Sequence, residues 1–244
     1  MKRLFLTPCL LVSLSPCLLV SLSPCLLVSC TQDAYDKGEG PYSYTRADFV
    51  EAHSNSQKQI DYITTDDGEL LPLQEAITAK WIAKADTLYR CALYYDKVET
   101  GNGKYAAKAR SVAQVPCPVI VPIKKLEMEM KTDPVKFESA WLSKSGKYLN
   151  LSLYLMTGTS DDEDASQQLA FVQDTIMENA DHSRTSYIRL FHDQGGIPEY
   201  YSTQVYTSIL TNEIKADSVR ISINTYKGEI VKTWSLFGET DIKY

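Results

Sequence analysis

Leucine alternates with more polar residues through the stretch 148–156, YLNLSLYLM, and this alternation constrains the fold more than any other feature of the sequence. In a β-strand successive side chains point to opposite faces, whereas a helix repeats about every 3.6 residues. The pattern therefore predicts a strand whose leucine face lies in a core. It also predicts that the opposite face, which carries Tyr148, Asn150, Ser152 and Tyr154, contacts water.

Strand-like segments recur along the chain, and none has a convincing long helical period. The turn sequences Asp66-Asp67-Gly68 and Gly101-Asn102-Gly103 are typical of tight β-hairpins. Residues 74–85 fit either a short helix or a loop. The predicted strands cover residues 42–52, 59–65, 69–73, 87–98 and 104–115, and then 148–156, 169–176, 186–192, 203–211, 219–226 and 229–237.

The chain is therefore predicted to be all-β, with two domains. The short strands within residues 42–117 favour a small closed barrel, because closure removes exposed strand edges. The sequence Pro116-Cys117-Pro118 and the later Pro122 predict a linker at 118–124, since proline ends strands and stiffens connections. The longer strands within residues 125–244 favour a β-sandwich.

The N-terminal segment repeats one eight-residue phrase three times after a basic start, and the third copy ends in Leu27-Val28-Ser29-Cys30. This layout is typical of a secretory signal. Its length also suits an uncleaved anchor helix, although the proline in each copy disfavours a continuous helix. The last four residues resemble the lipobox of bacterial lipoproteins. That resemblance implies cleavage after Ser29 and acylation of Cys30, so that 1–29 is a signal peptide. Residues 31–41 are polar and Gly-rich, so 30–41 is predicted to be a lipid-anchored flexible tether.

The other cysteines of this segment, Cys9, Cys17 and Cys25, each follow a proline, where a lipobox has a small residue. Their spacing of eight does not match the spacings of zinc ligands. Two cysteines lie further along the chain, Cys91 and Cys117. A hairpin centred on residues 101–103 places Cys91 opposite a residue near 113, so Cys117 lies roughly 13 Å further along its strand. A disulfide needs Cα atoms within about 7 Å, which disfavours this bridge without excluding it.

The formal net charge is −6, and loss of the basic start makes the remainder more acidic. Nucleic-acid binding needs clustered Lys and Arg, so this class of partner is not expected. No cofactor motif is present either. The phrase at residues 101–106, GNGKYA, formally fits a dinucleotide fingerprint, but it joins two strand-like runs where the fingerprint must open a helix.

Several longer phrases resemble the NigD-like lipoproteins of Bacteroidetes: YITTDDGELLPL at 62–73, KSGKYLNLSLYL at 144–155 and IRLFHDQGGIPEYYS at 188–202. The resemblance covers nearly the whole chain after the leader. It implies an OB-like barrel followed by an immunoglobulin-like sandwich on a lipid anchor. The family takes its name from a bacteriocin gene cluster, and it supplies no functional residue to carry over except the lipidated cysteine, Cys30.

The most site-like phrase is the His192-Asp193 pair before Gly195-Gly196. Such a pair suits acid–base work, but no nucleophile elbow accompanies it, and a strand end entering a turn is the favoured interpretation. The acidic run 161–164 is interpreted as a solvated loop rather than a calcium site, because EF-hand spacing is absent. The two further histidines, His53 and His182, show no metal-ligand spacing.

The remaining candidate functional residues are three tryptophans and three residues with hydroxyl side chains. Trp81, Trp141 and Trp234 are predicted to pack in cores or at their rims, although an exposed pair would indicate glycan stacking. Thr87, Thr175 and Ser218 each follow an aspartate and precede an apolar residue, which resembles the acceptor pattern of Bacteroidetes O-glycosylation.

These features predict a non-enzymatic lipoprotein of the cell envelope, held in the outer membrane by acylated Cys30 and acting through a protein or glycan partner, with no metal or cofactor. Immunity or another bacteriocin-linked role is implied only by the family resemblance. A cell-surface glycan-binding accessory protein is the first alternative. An enzyme is the second, and it requires His182 or His192 to meet a carboxylate and a hydroxyl in a pocket.

Overall fold

The first domain is a barrel of five strands: β1 (Thr45–Ser54), β2 (Ile60–Thr65), β3 (Leu70–Ile77), β4 (Thr87–Gly101) and β5 (Lys104–Gln114). In the computed structural model, which describes residues 45–236, these strands close in the order β1-β2-β3-β5-β4. The β3–β5 pair is parallel, at Leu73 and Ala107, and the other pairs are antiparallel. The predicted closed barrel is therefore confirmed.

Turn chemistry explains the hairpins of the barrel. Asn102 and Gly103 both have positive φ, 53° and 70°, as a type I′ turn requires between β4 and β5. Segment 74–85 is not helical, because β3 continues to Ile77 and a loop follows. Inside the barrel the largest fully buried side chains include Ile63, Leu93 and Tyr95.

The second domain is a sandwich of two sheets. Its strands are β6 (Val121–Pro122), β7 (Lys136–Leu142), β8 (Tyr148–Thr157), β9 (Gln168–Glu178), β10 (Arg184–Asp193), β11 (Tyr201–Leu210), β12 (Ser218–Thr225) and β13 (Gly228–Ser235). One sheet has the order β13-β12-β10-β9-β6, and the other has the order β11-β8-β7. The all-β class and the sandwich are confirmed, and the barrel and sandwich belong to one compact unit.

The predicted domain boundaries remain predictions, and two strands were not foreseen. Strand β6 lies inside segment 118–124, which was predicted as a linker, and strand β7 was missed altogether. The predicted signal peptide and tether, residues 1–41, lie outside the described residues, as does Cys30.

Strand β8 confirms one half of the alternation argument and corrects the other. Leu149, Leu151 and Leu153 are fully buried in the sandwich core, as expected. The opposite face was predicted to contact water, yet Asn150 is 0% exposed and Ser152 only 2%. The physical reason is that the barrel packs on this face, which makes it an interface between the domains.

Candidate binding site

A buried arginine joins the two domains. Arg90 on β4 donates from Nη1 and Nη2 to both carboxylate oxygens of Asp66, at 2.6 and 2.7 Å. Its Nη2 also donates to Oδ1 of Asn150 on β8, at 3.1 Å, and Ser208 Oγ donates to the same oxygen at 2.7 Å. The Arg90 side chain is only 2% exposed, so its charge depends on these partners.

A second set of polar contacts surrounds Tyr148, whose ring lies 4.1 Å below the Arg90 guanidinium. The Tyr148 hydroxyl donates to Glu51 Oε1 at 2.5 Å, and Lys147 also pairs with Glu51. Burial raises the pKa of Tyr148, and its bond to the Glu51 carboxylate raises it further. Burial also acts to raise the pKa of Glu51, but the bonds from Lys147 and Tyr148 outweigh it and hold that pKa below its usual value.

Aromatic packing closes one side of this interface. The ring of Phe49 on β1 meets those of Trp141 on β7 and Tyr206 on β11 edge-to-face, with both centroid distances 5.4 Å. Edge-to-face pairs add about 0.5–1.5 kcal/mol each to the effect of burial. The two domains are therefore joined by an aromatic contact as well as by a polar network.

A cleft of about 410 Å³ opens beside this interface, lined from both domains. Its carboxylates already have partners: Asp66 binds Arg90, Asp67 binds Lys144, Glu69 binds Lys97, and Asp48 accepts a bond from the Tyr95 hydroxyl. Burial and the Asp48 carboxylate raise the pKa of Tyr95 to about 12. The carboxylates that line this cleft are therefore engaged in internal contacts, so the cleft offers no unpartnered carboxylate to a cation.

A second cleft, of about 340 Å³, lies in the sandwich between the start of β7 and the β12–β13 hairpin. Val135, Phe137, Tyr226 and Ile230 supply its apolar lining. The Tyr226 hydroxyl donates to Glu199 Oε2 at 3.1 Å, which fixes the ring at the mouth of the cleft. Burial and this carboxylate raise the pKa of Tyr226 to about 12. This apolar cleft is the concave surface best suited to receive an apolar side chain.

The three histidines lie in three different surroundings. His53 stacks on Tyr62 and contacts Asp61 at 2.8 Å, while the exposed His182 contacts Glu178 at 2.8 Å. The buried His192 contacts the backbone oxygen of Asp133, at 3.0 Å from Nδ1. In the described part of the chain, neither His182 nor His192 meets a carboxylate together with a hydroxyl in a pocket.

The structure explains the His192-Asp193 phrase as a strand end. Asp193 accepts a bond from the Gly195 amide at 2.9 Å, and Gly195 and Gly196 both have positive φ. A Cβ on Gly195 would lie 1.9 Å from the carbonyl oxygen of Ser166, so glycine is required at that position. The turn interpretation is therefore confirmed.

The acidic loop around residues 161–164 forms hydrogen bonds within itself. The amide of Asp162 bonds Ser160 Oγ, and the amide of Asp164 bonds Asp162 Oδ1. Within residues 45–236 no group of three or more His, Cys, Asp or Glu side chains is placed to hold a metal ion. The phrase at 101–106 forms the β4–β5 hairpin, as the sequence indicated.

The tryptophans pack as predicted, and the glycosylation candidates differ in access. Trp81 packs against the barrel core, and Trp234 packs against the sandwich core. Thr175 is exposed on β9, whereas Thr87 Oγ1 donates to Ala85 and Ser218 Oγ bonds Thr185. Modification at these three positions remains a prediction.

The described cysteines are not bridged. Cys91 and Cys117 are both free, and Cys91 pairs with Gln114 in the sheet, one residue from the predicted position. Burial raises the pKa of the Cys91 thiol to about 12, so it behaves as a small apolar core residue. No helix among residues 45–236 combines the length and apolarity needed to span a membrane.

Sequence reasoning missed the residues that join the domains and those that line the apolar cleft. The one available signal was Arg90, a lone cation within the strongly strand-like run TLYRCALYY at 87–95. Nothing comparable marked Phe137 or Tyr226, because their juxtaposition arises only when β7 and the β12–β13 hairpin meet.

Comparison with known proteins identifies the second domain. Residues 119–236 match the family described as the NigD-like C-terminal beta sandwich domain. No match was found among curated proteins.

Among solved structures, a NigD-like immunity protein from Bacteroides caccae is 22% identical, with a TM-score of 0.60, over 77% of this chain and 91% of its own. A putative toxin-related protein from Parabacteroides distasonis is 13% identical, with a TM-score of 0.57, over 78% and 92%. A putative lipoprotein from Bacteroides fragilis is 10% identical, with a TM-score of 0.54, over 78% and 96%. These identities show a common fold, and together with the domain match they confirm the predicted family resemblance.

Proposed function

We propose that this chain, whose residues 119–236 match the NigD-like C-terminal beta sandwich domain, is a non-enzymatic lipoprotein of the bacterial envelope that acts by binding another protein. Acylated Cys30 anchors it in the outer membrane. Its structural neighbours include proteins described as an immunity protein, a toxin-related protein and a lipoprotein. Of these descriptions, immunity is the role that a protein acting by binding would best perform.

The observation that carries the binding role is the buried connection between the domains. Arg90, Asp66 and Asn150 hold the barrel against the sandwich before any partner arrives. When a binding surface is already ordered, little free energy is lost to ordering it on association, and the affinity is correspondingly higher. This rigidity suits recognition of a preformed partner.

The anchor is tested by metabolic labelling with a fatty-acid analogue. Cys30→Ser abolishes acyl labelling of the full chain and releases it from the membrane fraction. The matched control is Cys25→Ser, because Cys25 follows Pro24 and lacks the small preceding residue that Cys30 has in Ser29. Labelling that survives Cys30→Ser, or that disappears with Cys25→Ser, refutes the assignment.

The binding role is tested in intact cells. Crosslinking followed by pull-down recovers one reproducible protein partner, and protease shaving of the same cells reports which face of the outer membrane exposes the protein. For immunity, a deletion strain dies faster than its parent in co-culture with toxin-producing neighbours, and the wild-type gene restores survival. Equal survival of the two strains contradicts the immunity role.

One observation favours glycan binding as a second candidate. Two aromatic rings, Phe137 and Tyr226, line the same concave cleft, and Tyr226 is 49% exposed. Sugars stack on aromatic faces presented in this way. A glycan array with the full chain, repeated with Tyr226→Ala, tests it, and an array without signal excludes it.

A further inference from the structure

Strand β11 has one edge without a strand partner among residues 45–236. It is an outer strand of the three-stranded sheet, and it pairs with β8 through all ten of its residues without a bulge. Because this register is unbroken, the backbone groups of alternate residues point away from β8. Ser208 shows which residues these are, since its amide bonds the Pro116 carbonyl at 2.9 Å. The residues that point outward in the same way are Ser202, Gln204 and Tyr206.

The outward groups of these three residues form one uninterrupted free run. Within the part of the chain that the structure describes, no hydrogen bond reaches their outward N–H and C=O groups. The run is closed at one end by the bond of Ser208 to Pro116, and at the other by the Tyr200 amide, which donates to the Thr157 carbonyl at 3.0 Å. Its middle residue is therefore Gln204.

This edge lacks the features that usually keep strand edges apart, which are charged residues and proline. The other edge strands of the sandwich have them: Pro122 in β6, Lys136 and Glu138 in β7, and Glu229 and Lys232 in β13. Strand β11, with the sequence YSTQVYTSIL, has neither a charged residue nor a proline, and most of its free half is exposed. An exposed, uncharged edge of this kind readily pairs with another strand.

The free run is complementary to a second copy of itself. If two β11 strands run antiparallel about a two-fold axis at Gln204, the two Gln204 residues face each other, and Ser202 of each copy faces Tyr206 of the other. These are hydrogen-bonded pairs, so each exchanges both of its N–H···O=C bonds. Any other register that keeps the same faces together leaves at least one of the outward residues unpaired. The self-pairing register therefore satisfies the whole free run.

The side chains also suit this pairing. Gln204 Nε2 donates one of its N–H groups to Ser152 Oγ at 2.9 Å, which leaves its second N–H and its Oε1 for the Gln204 amide of the other copy. Beside the axis, Thr203 faces Val205, and both are β-branched residues that pack well across strands. Copies of a chain with net charge −6 repel each other, and the uncharged β11 edge lets them meet without like charges in contact.

The position of the barrel is compatible with two copies. The barrel lies towards the Ser208 end of β11, where Phe49 contacts Tyr206. Ser208 lies four positions from a two-fold axis at Gln204, so the Ser208 residues of the two copies are roughly 26 Å apart along the strands at about 3.3 Å per residue. The two barrels are therefore directed to opposite ends of the paired strands.

We propose that two copies of this chain form a symmetric dimer by antiparallel pairing of their β11 strands, centred on Gln204. The pairing joins the two three-stranded sheets into one continuous sheet. A two-fold dimer is closed, so it covers both free edges and does not lead to fibres. This self-association is separate from the proposed binding of another protein, and neither depends on the other.

Engineered cysteines report the register in intact cells. Opposite residues of a hydrogen-bonded pair have Cα atoms about 5.5 Å apart, which suits a disulfide. In the full chain, with the exposed Cys117 removed as Cys117→Ser, oxidation of Gln204→Cys gives a product of twice the chain mass on non-reducing gels. The matched control is Ser202→Cys, whose two copies lie roughly 13 Å apart along the strands at about 3.3 Å per residue. We expect at least about tenfold less product from it, and co-expression with Tyr206→Cys restores the product.

Charges at the axis test the pairing without cysteines. Gln204→Lys and Gln204→Glu each place like charges directly opposite one another, which destabilises a cross-strand pair. With either variant, a tagged copy recovers about three- to fivefold less of an untagged copy than the wild-type chain does. Co-expression of the two variants restores recovery, because opposite charges then face each other. Ser139→Lys, at an exposed position of β7, is the control and retains wild-type recovery.

Three results overturn the inference. The first is no product of twice the chain mass from Gln204→Cys, although the protein is present at the wild-type level. The second is as much product from Ser202→Cys alone as from Gln204→Cys, which would indicate random collision or another register. The third is a product at position 204 in which mass spectrometry finds another protein in place of a second copy.

Discussion

The barrel and the sandwich differ in whether their sheets have open strand edges. Strands β1 to β5 close on one another, so every barrel strand has two neighbours, whereas the sandwich leaves β6, β7, β11 and β13 at sheet edges. Closed sheets give little opportunity for strand addition, and open edges invite it. The comparison teaches that the barrel contributes mainly to rigidity, through Arg90 and Phe49, while the strand edges that stay open lie in the sandwich.

The largest expected loss of stability comes from removing Arg90, the barrel residue that forms the buried contact between the domains. Arg90→Ala leaves the Asp66 carboxylate without its ion-pair partner and lowers the free energy of unfolding by about 3–5 kcal/mol. Urea denaturation of the full chain, followed by tryptophan fluorescence, measures this loss.

The sandwich supplies a matched control for that variant. Arg189 and Asp174 form a bidentate pair of similar geometry, but their side chains are 35% and 32% exposed, against 2% for Arg90. Arg189→Ala is expected to change stability by only about 0–1 kcal/mol. Equal losses for the two variants would contradict a special role of the buried pair.

The next effect tests whether the two domains unfold together. Leu151→Ala opens a cavity in the sandwich core and lowers the free energy of unfolding by about 2–5 kcal/mol. Because Asn150 beside it bonds Arg90, we expect the amides of β4 to lose hydrogen-exchange protection along with those of β8. Protection that falls in β8 alone would mean that the barrel is stable by itself.

A smaller effect depends on pH at the same interface. The pKa of Glu51 is held below its usual value of 4.5, so its stabilising contribution is present above that pH and is lost as pH falls through the lowered value. Glu51→Gln removes this dependence and about 1–2 kcal/mol of stability at neutral pH. Denaturation midpoints measured between neutral and acidic pH report it.

The smallest effect concerns the open edge itself. Glu138→Lys, at an exposed position of β7, changes stability by less than about 0.5 kcal/mol. Urea denaturation of the full chain measures the change. A loss of more than about 1 kcal/mol would indicate that the Glu138 carboxylate contributes to the fold.

Sequence alternation predicted the sandwich core through the leucines of β8, but it could not predict what covers the other face. Asn150 and Ser152 are small polar residues of the kind that water also solvates, and only the position of the barrel decides that they are buried. Strand β7 was missed for a local reason. A bulge between Phe137 and Ser139 shifts its phase, so the sequence KFESAWL shows no clean alternation. The barrel was predictable because its hairpin turns are encoded within a few neighbouring residues.

The connection at Arg90 also dictates an order of events when the chain folds. Arg90 and Asp66 both belong to the barrel, whereas Asn150 lies 60 residues after Arg90. A chain made from its N-terminus completes the barrel first, with the guanidinium and its carboxylate still hydrated. Dehydration of that ion pair must then await the arrival of β8. We therefore expect docking of the domains to be the last kinetic step, slower than closure of the barrel.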